Sequence, residues 1–134
     1  MWETEFIRTV IANAATEYEA PGVENRIVLC HTPFPYTPEP PFDIEIETYT
    51  EWCRLLRQHV KPQLMLCGHV HKCYVTPVGG DLDHKGQPCP VVVASEVRKD
   101  GAFLGGAIEL YPDNGDIKFT DQMGNVKDSL TIAF

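Results

Sequence analysis

Gln63-Leu64-Met65-Leu66-Cys67-Gly68-His69-Val70-His71 is the stretch on which the fold turns: a short apolar run that stops at a glycine and is followed by two histidines in alternate positions. Its length, with Pro62 before it and Gly68 after it, predicts a strand. Upstream, Arg26-Ile27-Val28-Leu29-Cys30-His31 has the same plan, an unbroken apolar run with two β-branched residues that ends at a histidine. That run predicts a strand buried on both faces. Between the two, Tyr49, Trp52, Cys53, Leu56 and Val60 recur at helical spacing, with Thr48-x-x-Glu51 as a candidate capping box and Pro62 as the stop. Strand, helix, strand in that order predicts two parallel neighbours joined by a crossover helix, with both carboxyl ends pointing the same way. His31, His69 and His71 then emerge together at the edge where α/β sheets place ligand sites.

On the amino-terminal side, Phe6, Ile7, Val10, Ile11, Ala14, Ala15 and Tyr18 mark one buried face of a helix from Glu3 to Tyr18, stopped by Pro21-Gly22. The stretch from Thr32 to Pro41 holds Pro33, Pro35, Pro38, Pro40 and Pro41, which exclude helix and interior strand and leave an ordered or semi-rigid loop. Beyond His71, the runs Cys73 to Thr76, Val91 to Ala94, Phe103 to Tyr111 and Asp116 to Thr120 read as strands, and Pro112-Asp113-Asn114-Gly115 as a hairpin turn. The whole is a layered α/β domain, residues 1–134, with no repeat and no internal boundary.

A chain of 134 residues with 43% hydrophobic and 22% charged residues has ordinary globular composition. Eleven Lys and Arg against 19 Asp and Glu give a net charge of −8, which repels a phosphate backbone and excludes non-specific nucleic-acid binding. No apolar run has the length of a membrane span and the N-terminus lacks the pattern of a signal peptide, so no membrane association and a soluble, cytoplasmic chain are expected. Five cysteines, an odd number at spacings that fit no disulfide framework, are expected to be reduced thiols. Cys30, Cys53 and Cys67 lie among apolar neighbours and read as small hydrophobes.

The three histidines carry the chemistry. Imidazole binds zinc, iron, manganese and nickel, and a glycine such as Gly68 before a ligand lets the backbone turn sharply beside an ion. His31 alone is an ordinary residue at a strand end, and Gly68-His69-Val70-His71 alone is a weak signal; their convergence is what points to a metal. A competing set, Cys67, His69, His71 and Cys73, would form a structural zinc site only if a tight turn folded its alternating residues around one ion. Asp81, Asp83 and His84 read as a solvated glycine-rich turn, Glu39, Asp43, Glu45 and Glu47 as a charged face, and His59 as a favourable charge at a helix end.

The blocks His31-Thr32-Pro33 and Gly68-His69-Val70-His71 resemble the last two motifs of the calcineurin-like metallophosphoesterases, a resemblance covering most of the chain from about Arg26 onward. It implies a sandwich of two sheets with flanking helices, a binuclear manganese, iron or zinc centre in the complete enzyme, and hydrolysis of a phosphoric ester as phosphatase or phosphodiesterase. By position in the motif, His31 and His69 would bind one metal and His71 the other. Thr32, Phe34 and Tyr36 would belong to the substrate loop. The family's earlier motifs, Asp-x-His, Gly-Asp and Gly-Asn-His, do not occur before His31, so the chain corresponds to the carboxyl-terminal half alone.

No catalytic residue is therefore assigned. One metal or none is expected on this chain, and inactivity or near-inactivity in isolation. Apolar strand faces and sheet edges that the missing half would cover are expected to be exposed, and a homo-oligomer to cover them. Two other functions stay open: a non-catalytic interaction or regulatory module that keeps the fold, and a small structural zinc-binding domain.

Overall fold

The computed structural model describes residues 2–33, 46–81, 83 and 86–134. Helix α1 (Trp2–Glu17) leads into strand β1 (Ile27–Cys30); helix α2 (Ile46–Leu55) continues into a π-helical turn (Leu56–Val60) before β2 (Leu64–Cys67). The remaining strands are β3 (Tyr74–Thr76), β4 (Val91–Val93), β5 (Glu96–Val97), β6 (Phe103–Leu110), β7 (Asn114–Asp121) and β8 (Val126–Ala133). They form two four-stranded sheets, one in the order β1-β2-β4-β3 and the other in the order β5-β6-β7-β8.

The first sheet is covered on both faces, which explains why its central strands are apolar without alternation. Toward the helices, Met65, Cys67, Val91 and Val93 join Ile11 of α1 and Tyr49, Trp52 and Cys53 of α2 in one core. Toward the second sheet, Leu64 and Val92 join Ile117, Phe119 and Ile132 in another. The fold is thus three layers, helices on sheet on sheet. Where the sheets meet, Gly106 makes a close approach: a Cβ there would lie 3.1 Å from the Cβ of Ala94 and 3.4 Å from Phe119.

β1 and β2 are parallel in the register Ile27↔Leu64 to Cys30↔Cys67, and β2 is parallel to β4. Arg26 fixes the entry to β1, because its guanidinium donates to the Val60 carbonyl at 2.9 Å and to the Tyr18 carbonyl at 3.3 Å. It ties the ends of both helical segments to the first strand. The π turn closes through the Lys61 N–H to the Leu56 carbonyl at 2.8 Å, and Lys61, in the left-handed region at φ 53°, turns the chain out of the helix toward Pro62. An ion pair between Arg8 and Glu51 joins the two helices on their exposed side.

Several expectations need correction. β1 is not buried on both faces: it is an edge strand, and Leu29, on the face turned toward the second sheet, is 76% exposed because that sheet does not cover it. The capping box does not start the second helix, since α2 already runs from Ile46 and Glu51 engages Arg8. β7 begins at Asn114, two residues before the expected Asp116, because the hairpin closes through the Tyr111 N–H to the Asn114 carbonyl at 2.8 Å. The two-stranded pairing of β5 with β6 and the whole of β8 were not expected from the sequence.

Candidate functional site

Cys30 and Cys67 are partners at the last rung of the β1–β2 ladder, so the residues that follow them leave the sheet side by side. The Gly68 N–H donates to the His31 carbonyl at 3.0 Å and prolongs the pairing by one step. This brings the rings of His31 and His69 together: Nε2 of His31 is 3.2 Å from Nδ1 of His69, with ring centroids 5.1 Å apart and planes inclined at 75°. His31 is exposed and His69 half-buried. Thirty-eight residues of sequence separation collapse to one interatomic contact.

Backbone geometry singles out the same edge. The Val70 N–H donates to the Gly68 carbonyl at 2.7 Å, closing a three-residue turn around His69, whose φ is +64°. A γ-turn with positive φ at its centre is the strained form. His71 follows at φ +56°, and Ser95, just past β4, has φ +80°. Among the described residues these three and Lys61 are the non-glycine positions with positive φ, and Lys61 is accounted for as a helix cap. Each such residue costs roughly 1–3 kcal/mol, a strain characteristic of functional sites. The turn expected of Gly68 therefore falls to the histidines: Gly68 is not in the left-handed region, and a Cβ on it would meet His31 at an ordinary 4.0 Å.

These strand ends enclose a shallow concavity of about 420 Å³, lined by Leu29, His31, Leu66, Gly68 and Ser95 among others. A larger cavity of about 610 Å³ lies between β3 and β8, where Pro62, Val75, Pro90, Ile132 and Phe134 line it and no histidine, acid or base does. Size does not make it the reactive site, because its lining is mostly proline and aliphatic side chains and its one thiol, Cys89, is pushed up to about 12 by burial. The smaller concavity has the chemistry.

The pair suits two neighbouring ligands of one ion. Tetrahedral zinc with Zn–N bonds of about 2.0–2.1 Å sets adjacent nitrogens about 3.3 Å apart, against 3.2 Å between His31 and His69. The same separation also fits a hydrogen bond from one neutral imidazole to the other, the tautomers deciding which donates. His71 is exposed and does not join them as a third ligand: among the described residues no group of three or more His, Cys, Asp or Glu side chains is placed to hold a metal ion.

Neighbouring thiols do not complete the set. Burial pushes the Cys30 and Cys67 thiols up, and among the described residues neither joins the histidines in a group of three placed to hold an ion. Cys67 packs in the core beneath the helices while Cys73 packs in the core between the sheets, so the set Cys67, His69, His71 and Cys73 is split across two faces of one sheet.

Thr32, beside the pair, is half-buried; Phe34, Tyr36, Glu39, Asp43, Glu45 and His84 lie outside the described residues. Glu47 and Asp81 are exposed, as is His59, in the last turn of its helical segment. Asp83 accepts the Gly79 N–H at 2.8 Å and the Gln87 N–H at 2.7 Å, so it shapes its own loop. Ser95 is the residue at this edge that the sequence reading missed; recognising Val91 to Val93 as a third parallel strand would have put its carboxyl end beside the other two.

No family model and no curated protein matches this chain. Among solved structures, the crystal structure of a Vps29 single mutant from Entamoeba histolytica aligns at 14% identity and a TM-score of 0.38, over 63% of this chain and 46% of that one. The chain thus spans less than half the length of that protein. A superposition this loose transfers neither fold nor function.

Proposed function

We propose that this chain carries part of a metal-dependent phosphoric-ester hydrolase site, with a metallophosphoesterase-like arrangement of sheets and helices. The observation that carries the reading is the 3.2 Å approach of His31 Nε2 and His69 Nδ1 at the carboxyl ends of two parallel strands. His31 and His69 would hold one manganese, iron or zinc ion, and His71, just past that turn and itself at φ +56°, would face a second. The chemistry supplied by such ions is charge neutralisation at phosphoryl oxygens and acidification of water. Two imidazoles hold an ion weakly and supply no carboxylate to bridge a pair, so the chain is inactive or nearly so by itself. The substrate of the complete site is a phosphoric ester.

The position of β1 at the end of its sheet, with no partner strand on its outer side among the described residues, and the 76% exposure of Leu29 support a homo-oligomer that covers this side of the sheet. The same exposure favours a second reading, a non-catalytic module that uses the β1 edge for protein contact. A structural zinc domain has less support, because Cys67 and Cys73 lie on opposite faces of the sheet.

The deciding experiment is metal content and phosphodiesterase turnover of the purified chain, with manganese or zinc supplied, beside His69→Ala. Bound metal that disappears in the variant, without turnover, is the expected result. Robust turnover would mean that the remaining ligands come from elsewhere, and no bound metal in the parent would leave the interaction module.

A further inference from the structure

We infer that Ser95 positions the oxyanion of the ligand beside His31, as a hydrogen-bond donor built into the third strand end of the site. The inference rests on the metal-phosphoester reading above. β2 is parallel to β4, so the residues after Val93 emerge at the same edge as His31 and Gly68. The Ala94 N–H donates to the Cys67 carbonyl at 3.0 Å, which sets Ser95 next to the turn that bears His69. Ser95 lines the same concavity as His31, and it is exposed.

The backbone of Ser95 carries the argument. At φ +80° an L residue is strained and glycine is not. Glycine takes positive φ at Gly22, Gly79, Gly86, Gly101 and Gly124, so the fold uses it where only the backbone matters. No helix end accounts for the strain at Ser95, since it lies between the short strands β4 and β5. Among the described residues its hydroxyl makes no hydrogen bond to another part of the protein. Serine at this position thus gives up backbone comfort while its hydroxyl, which no described residue engages, belongs to a residue lining the same concavity as a histidine.

The test separates strain from function. The parent chain, Ser95→Gly and Ser95→Asn are compared by thermal melting, by zinc titration, and by calorimetric titration of inorganic phosphate into the zinc-loaded protein. Ser95→Gly is expected to melt at or above the parent temperature and to bind zinc equally. Its phosphate binding should weaken roughly three- to tenfold, the loss of one hydrogen bond. Asparagine tolerates positive φ and keeps a donor, so Ser95→Asn should recover most of that affinity.

Unchanged phosphate affinity in Ser95→Gly overturns the inference, as does a lower melting temperature in that variant, which would make the side chain a structural one. A parent chain that binds zinc but not phosphate overturns it too, while leaving the metal reading intact. A parent chain that binds no zinc overturns both.

Discussion

Leu29 and Leu66 are register partners on one face of the first sheet, yet Leu66 packs into the core between the sheets while Leu29 is 76% exposed. One strand's displacement accounts for the difference: β2 lies over the second sheet, and β1 lies beyond it. An apolar side chain on an open parallel edge invites a partner strand.

The account therefore predicts that the chain self-associates and that Leu29→Lys abolishes association. Folding of the single chain should change by no more than about 0.5 kcal/mol, as for a surface substitution. Sedimentation velocity across a concentration series, with a denaturant titration of the variant, checks both. A parent chain that remains monomeric at every concentration would contradict the expectation.

Adjacent glycines of β6 should respond with opposite signs. A Cβ on Gly105 meets nothing within 4 Å, whereas one on Gly106 meets Ala94 at 3.1 Å where the sheets touch. Gly105→Ala is predicted to be neutral or to stabilise by up to about 1 kcal/mol through the unfolded chain. Gly106→Ala is predicted to destabilise by roughly 1–3 kcal/mol through overpacking. Chemical denaturation of both variants gives the comparison.

The hairpin between β7 and β8 is predicted to gain stability from the ionised Asp121 carboxylate. Hydrogen bonds from the Asn125 side chain and backbone, then Lys127 and the Met123 N–H, hold the Asp121 carboxyl well below the usual carboxylate range. A depressed folded-state pKa gives stability that is present above the unfolded value of about 4 and lost as pH falls toward the folded one. Asp121→Asn should accordingly lower the melting temperature at pH 7, and the gap to the parent should close as the pH is taken below 4. A gap independent of pH would exclude the charge as its source.

Thiol reactivity should report the layering. Cys53, Cys67 and Cys89 are buried, and burial pushes the Cys67 thiol up and the Cys89 thiol up to about 12. Little Cys67 or Cys89 thiolate exists at pH 8 and Cys53 is shielded by burial, so these three should react with a disulfide reagent only after unfolding, which should release all five thiols. Rapid native reaction of all five would mean that the helical layer does not cover the sheet.

What the sequence disclosed followed the range of its signals. Unbroken apolar runs ending at His31 and Gly68, with a helical stripe between, were enough for β1, α2, β2 and their parallel pairing. Position within a sheet has no local signature, so nothing around Leu29 distinguished an edge strand from a central one. β8 was hidden because its first half, Lys127-Asp128-Ser129, is polar and only Leu130 and Ile132 face the core between the sheets. At the site, topology foretold the meeting of His31 and His69. The strain at His69, His71 and Ser95 could not be foretold, because Gly68 stood next to His69 as the natural place for a turn and an L residue is not expected to take positive φ.

The central claim is that His31 and His69 are ligands of one ion, and the imidazole nitrogens report on it directly. In ¹⁵N spectra of the side chains, one equivalent of zinc should shift His31 Nε2 and His69 Nδ1 together, and His31→Ala should abolish the shift at His69. Unchanged ring nitrogens on zinc addition, with the pair persisting as a hydrogen bond between neutral imidazoles, would contradict the claim.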